Sequence, residues 1–252
     1  MLGIFRKRKQ LFNPKSQKTV FLSLDYGFND GMFNNLNDVK ELFGLLARTR
    51  LNGLILPKGL AKEWVHFVPL DFKIIINLSA STKHGLPYYN KTIVCSAAEA
   101  LRLGADAVAI HLNIGNDLED KMLQDFGLVV DEAHQLGLPV LATIYARGGQ
   151  IVNELDPSLV AHCIGLGAEI GADLIAVPFP GRESVCTNAV QSCPVPVLFD
   201  KGANKTNFSD FLAMLKQSLA NGLVGLKIGQ YLFKQTNPLK SLESILKLVH
   251  DN

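Results

Sequence analysis

GADAVAIHLNIG (104–115) and GADLIAVPF (171–179) open on the same three residues and run on into uninterrupted apolar stretches. Each reads as a helix-ending glycine followed by a strand buried on both faces, the joint expected where a helix returns to a parallel sheet. The first run carries an ionisable side chain, His111, and the second carries none. The fold follows from how often this unit recurs, and the chemistry from what fills the inward positions.

Further apolar runs occur at TVFLSLDYG (19–27), GLILPKG (53–59), KIIINLS (73–79), PVLATIYA (139–146), PVLFDKG (196–202) and GLKIG (225–229). With AVAIHLN (107–113) and LIAVPF (174–179) they make eight. Helical periodicity fills the gaps at 37–50, 118–137 and 209–222, the last two ending on glycines suited to a helix C-cap. Strands covered on both faces need crossover helices, and eight such units close into a (β/α)8 barrel, the TIM-barrel fold of the α/β class. The expected organisation is one barrel domain over 19–252 behind a short basic N-terminal capping segment over 1–18. The 252 residues, 48% hydrophobic, suit a single barrel of about 250 residues.

Charge narrows the partners. The 25 basic and 23 acidic residues leave a net charge of +2, and RKRK (6–9) holds much of the basic excess. The body of the chain therefore has no field for nucleic acid, and RKRK reads as the solvated face of a short helix. No apolar run reaches the roughly 18 residues of a membrane span, so no membrane partner and a cytoplasmic location are expected. Cys95, Cys163, Cys186 and Cys193 lack CxxC spacing and read as reduced thiols. The histidines are scattered without ligand spacing, so neither a metal nor another cofactor is expected.

In a barrel of this kind ligands gather at the C-terminal ends of the strands. Alternation turns Ser23 and Asp25 inward on the first strand, Asn77 and Ser79 on the third, His111 on the fourth, and Thr143 and Tyr145 on the fifth. On the eighth, Leu226 and Ile228 face out and Lys227 faces the lumen. A lysine there is either an amine nucleophilic toward carbonyls or half of an ion pair with Asp25 or Asp200. His111 reads as a satisfied core histidine or a proton carrier, and Asp25 as functional or loop-capping. Tyr145 either covers the rim or exchanges a proton with a substrate hydroxyl. KGANK (201–205) and KIGQY (227–231) sit where barrels cradle phosphate on backbone N–H groups.

LFNPKSQKTVFLSLDYG (11–27), NLSASTKHGLP (77–87), SAAEALRLGADAVAIHLNIGND (96–117), ATIYARG (142–148), VAHCIGLGAEIGAD (160–173) and CPVPV (193–197) together resemble the archaeal-type class I aldolases. That family includes fructose-bisphosphate aldolases and 2-amino-3,7-dideoxy-D-threo-hept-6-ulosonate synthases. The resemblance implies a homo-oligomeric barrel, usually a decamer, that acts on phosphorylated ketoses through a lysine Schiff base. Asp25, Tyr145, Arg147 and Gly148 match family positions. The sixth-strand lysine does not: Ala176 stands there, with Phe179 for a tyrosine, Lys201 for a glycine, Gln230 for an arginine and Tyr26 for a histidine.

Two readings follow. One is an active lyase in which Lys227, or Lys58 or Lys201 in its place, forms the imine, with Tyr145, Asp25 and His111 moving protons. In it Lys58, Ser79, Arg147, Lys201, Gly202, Gly229 and Gln230 hold substrate and phosphate. The other is a non-catalytic descendant that binds a sugar phosphate or serves as a scaffold.

Overall fold

The computed structural model describes residues 2–27, 39–181, 184–201 and 206–251. Eight parallel strands form a closed barrel: β1 Thr19–Ser23, β2 Gly53–Pro57, β3 Lys73–Asn77, β4 Ala107–Ile114, β5 Val140–Ala146, β6 Leu174–Val177, β7 Val197–Lys201 and β8 Gly225–Ile228. Each strand pairs with its neighbours in sequence, and β8 closes on β1 with Thr19 opposite Gly225. A two-stranded antiparallel ribbon, Ser79–Ala80 with Thr92–Ile93, forms a separate small sheet that follows β3.

The repeated Gly-Ala-Asp is a clamp. Gly104 and Gly171 end the preceding helices with φ of +87° and +107°, a region that costs an L side chain free energy. Ala105 and Ala172 are buried behind them. The aspartates then grip one residue of the preceding strand twice. The Asp106 amide donates to the Ile74 carbonyl at 2.8 Å while its carboxylate accepts the Ile74 N–H at 2.9 Å. Asp173 does the same to Val140, at 2.9 Å for both bonds. The triplet sets strand register at the base of the barrel, which explains its recurrence without any chemistry.

Strand alternation sorts two apolar layers. Val20, Leu22, Leu54, Ile76, Val108, Ile110, Val140 and Leu226 pack against the helices. Phe21, Ile55, Ile75, Ala107, Ala109, Leu141, Leu174, Ala176 and Leu198 fill the lumen, joined by Leu11. Leu11 follows the helix Leu2–Gln10 and is fully buried; its carbonyl accepts from the Thr19 hydroxyl at 2.7 Å. Burying such a side chain contributes about 1.5–3 kcal/mol. In that helix Ile4 is buried, Arg6 and Lys9 are exposed, and Arg8 and Lys9 lie over the Phe5 ring. All four cysteines are free thiols. Among the described residues no helix is long and apolar enough to cross a membrane.

Candidate active site

Above the apolar filling, the C-terminal ends of the strands open into a cavity of about 400 Å³, within the range of small-molecule sites. Lys227 lies at its base. Its ammonium donates to Thr143 Oγ1 at 3.2 Å and to Asp200 Oδ2 at 3.3 Å. The same Oδ2 accepts the Tyr145 hydroxyl at 3.1 Å. The partner of Lys227 is thus Asp200, its register neighbour on β7; Asp25 acts on it only through the field. Burial works to lower the ammonium, and Asp200, then Asp25, more than offset it, leaving Lys227 above its ordinary value. Burial and the Asp200 charge push the Tyr145 phenol well up, so it stays neutral.

Asp25 is fixed from both sides, its Oδ1 taking the Ser23 hydroxyl and its Oδ2 the Asn77 amide at 2.6 Å. Ser79 accepts the His111 backbone N–H at 2.8 Å. The His111 ring lies 5.3 Å from that of Tyr145, and its Nε2 is buried without a hydrogen-bond partner in the protein. Burial, followed by the charges of Lys91, Lys227 and Arg147, holds that imidazole well below its ordinary value, and hence neutral. Arg147 stacks on Tyr145 and gives both Nε and Nη2 to Glu154, each at 2.6 Å.

These strand ends gather Asp25, Ser79, His111, Tyr145, Arg147, Lys201, Lys227, Gly229 and Gln230 around one cavity. One of the expected residues stands elsewhere. Lys58 opens the helix Lys58–Trp64 and pairs with Glu99 at 3.1 Å, away from the lining. Gly202 lies outside the described residues. Lys201 crosses the Tyr231 ring at 4.5 Å, and burial lowers its amine. Phe179 does not line the cavity; it is buried against Phe199 in the outer layer. Ala176 is fully buried within the lumen.

The profile of the DeoC/LacD family aldolases matches residues 19–235. The chain belongs to this family. Among its relatives, a 2-amino-3,7-dideoxy-D-threo-hept-6-ulosonate synthase of Archaeoglobus fulgidus is 31% identical over 256 aligned positions, covering 100% of this chain and 93% of that protein. A 2-amino-4,5-dihydroxy-6-oxo-7-(phosphonooxy)heptanoate synthase of Streptomyces griseus is 30% identical over 247, covering 97% and 89%. An archaeal fructose-1,6-bisphosphate aldolase, solved with its catalytic lysine covalently bound to the carbinolamine intermediate of its substrate, superposes with a TM-score of 0.86 at 26% identity, covering 98% and 99%.

The strand-by-strand reading does not reach the lining residues beyond Ser79 in the segment after β3, among them Lys91. Lys91 precedes the second ribbon strand and reaches back into the cavity, donating to Ser81 Oγ at 2.6 Å. Burial, then Arg147, lower its amine to about 8 against the pull of Asp25, and Lys227 adds to the lowering. Alternation within barrel strands gives no purchase on a residue outside them. The available signal was TIV (92–94), a short apolar run after a lysine. Among the described residues no three of His, Cys, Asp and Glu gather as a metal site.

Proposed function

We propose that this chain is a Schiff-base aldolase that makes or breaks a carbon–carbon bond in a phosphorylated ketose, with Lys227 as the amine. One observation carries the reading. The Lys227 ammonium, rooted on β8, ends beside Thr143, whose register partner across β5 and β6 is Ala176. The amine from β8 thus lies next to the position where the resemblance expects a lysine and the chain has a methyl group.

Asp200 supplies what a protonated amine lacks. It takes a proton from Lys227, the free amine adds to the ketose carbonyl, a second proton passes from the adduct's nitrogen to its oxygen, and Asp200 returns the first to the resulting hydroxyl, which leaves as water. The resulting iminium draws electrons from the neighbouring C–H bond, whose proton goes to Asp200, and an enamine forms. The enamine adds to an aldehyde while the Tyr145 phenol protonates the new alkoxide; Asp200, already hydrogen-bonded to that phenol, restores its proton. Water then adds to the product iminium, the carbon–nitrogen bond breaks and Lys227 is regenerated with release of the ketose; cleavage is the same sequence reversed. Asp25 orients the amine through its charge, and His111, held neutral, offers Nε2 to a substrate hydroxyl. Lys201, Gly229 and Gln230 hold the phosphate at the β7–β8 side of the mouth, and Ser79 and Arg147 complete the wall.

The test is borohydride reduction in the presence of dihydroxyacetone phosphate, followed by peptide mass mapping. A reduced adduct on Lys227, absent from Lys227→Met, is expected. An adduct that persists in Lys227→Met removes this residue from the mechanism, and binding with no adduct on any lysine leaves a sugar-phosphate-binding barrel.

A further inference from the structure

The described lining of the cavity carries five cationic side chains, Lys83, Lys91, Arg147, Lys201 and Lys227, against two carboxylates, Asp25 and Asp200. Lys227 is matched by Asp200 and Arg147 by Glu154. Lys91 is matched by no one: among the described residues no carboxylate lies within 4.0 Å of its amine, which meets only a serine hydroxyl. A mostly buried ammonium without a counter-ion is costly, and an anionic ligand that supplies one recovers that cost. Beside it His111 presents a buried Nε2 that no protein group satisfies.

The placement says which part of the ligand this is. In the closed ring of strands β3 and β7 stand four apart in either direction, so they are diametrically opposed. Lys201 ends β7, whereas Lys91 rides on the ribbon that follows β3. A ketose whose phosphate rests at Lys201 and whose carbonyl meets Lys227 extends across the mouth toward Lys91. Its far end is the carbon chain contributed by the aldehyde.

We propose that Lys91 is a specificity-determining residue that receives an anionic head, phosphate or carboxylate, on the aldehyde joined to or released from the ketose. The proposal rests on the aldolase reading above and adds to it the residue that meets the far end of the second substrate.

Wild type, Lys91→Met and Lys91→Arg are compared in two measurements. The first is kcat/KM for condensation of dihydroxyacetone phosphate with D-glyceraldehyde 3-phosphate and with unphosphorylated D-glyceraldehyde, alongside borohydride trapping of dihydroxyacetone phosphate alone. The preference for the charged aldehyde should fall at least tenfold in Lys91→Met and be kept in Lys91→Arg, the loss expected for one charge-assisted contact. A preference unchanged in Lys91→Met overturns the assignment. So does an equal fall for both aldehydes. The second measurement is calorimetric binding of 3-phosphoglycerate, which has the anionic head and no aldehyde. It needs no catalysis, so it decides the matter even if wild type traps no ketose and the aldolase reading fails. At least tenfold weaker binding to Lys91→Met is expected, and equal binding refutes a role for Lys91 in holding an anion.

Discussion

Replacing Asp200 with asparagine keeps the side chain's shape and an acceptor for Tyr145 while removing the charge that stabilises Lys227. Both partners are nearly sequestered, with side-chain exposures of 11% for Lys227 and 9% for Asp200, so solvent screening reduces the effect little. Breaking a buried pair from one side costs about 3–5 kcal/mol. With a urea m-value of about 3 kcal/mol per molar for a chain this size, the midpoint at pH 7 should fall by roughly 1–1.7 M. The sign with pH follows from linkage. In the wild type Lys227 is raised, so the pair's contribution is complete below the ordinary lysine value and is lost only as pH climbs through the higher folded one. In Asp200→Asn burial dominates and the folded value drops below the unfolded one, so stability should climb with pH between them. Urea unfolding at pH 7 and pH 9.5 measures both. A variant matching the wild-type midpoint at pH 7, or losing as much stability at pH 9.5 as at pH 7, contradicts an ammonium held in the lumen by Asp200.

Tyr145→Phe should leave borohydride trapping of dihydroxyacetone phosphate near the wild-type level and cut condensation by about 10²–10⁴-fold, because the phenol serves the step after imine formation; loss of trapping would place Tyr145 earlier. Calorimetric binding of 3-phosphoglycerate should weaken as pH rises through about 8, where Lys91, lowered by burial and then by Arg147 and Lys227 against the pull of Asp25, loses its proton. In Lys91→Arg that decline should vanish, and a decline that stays assigns the titration to another group. Leu11→Ala should cost about 2–5 kcal/mol in urea unfolding by opening a void at the floor of the barrel; a cost under 1 kcal/mol means that Leu11 does not fill it.

The barrel was legible because its strands are apolar on both faces, and alternation within them needs no knowledge of the rest. Phe21, Ala109 and Ala176 turn inward as the count requires, as do Ser23, Tyr145 and Lys227. The choice between Asp25 and Asp200 as partner for Lys227 was open to sequence, since both face the lumen. It is decided by register, which places Asp200 directly beside Lys227 and leaves Asp25 to Ser23 and Asn77. Lys58 was misplaced for a related reason. It follows β2 immediately, but it opens a helix and takes Glu99 as partner, a contact between segments 41 residues apart. Lys91 was missed because a ribbon between barrel strands has no period of its own that points at the lumen.

The ribbon after β3 has a bearing on how such a protein can change over time. Lys227, Asp200 and Tyr145 belong to strands of the closed barrel itself. Lys91 belongs to an appendage tied to that framework by a few hydrogen bonds, among them those of Ser79 with Asn77 and with the His111 N–H and that of the Asn113 amide with the Tyr89 carbonyl. Insertions or replacements within residues 81–91 can therefore remodel what the mouth accepts while the bond-forming groups stay where they are. Diversification of substrate in descendants of this chain should be concentrated in that one short excursion.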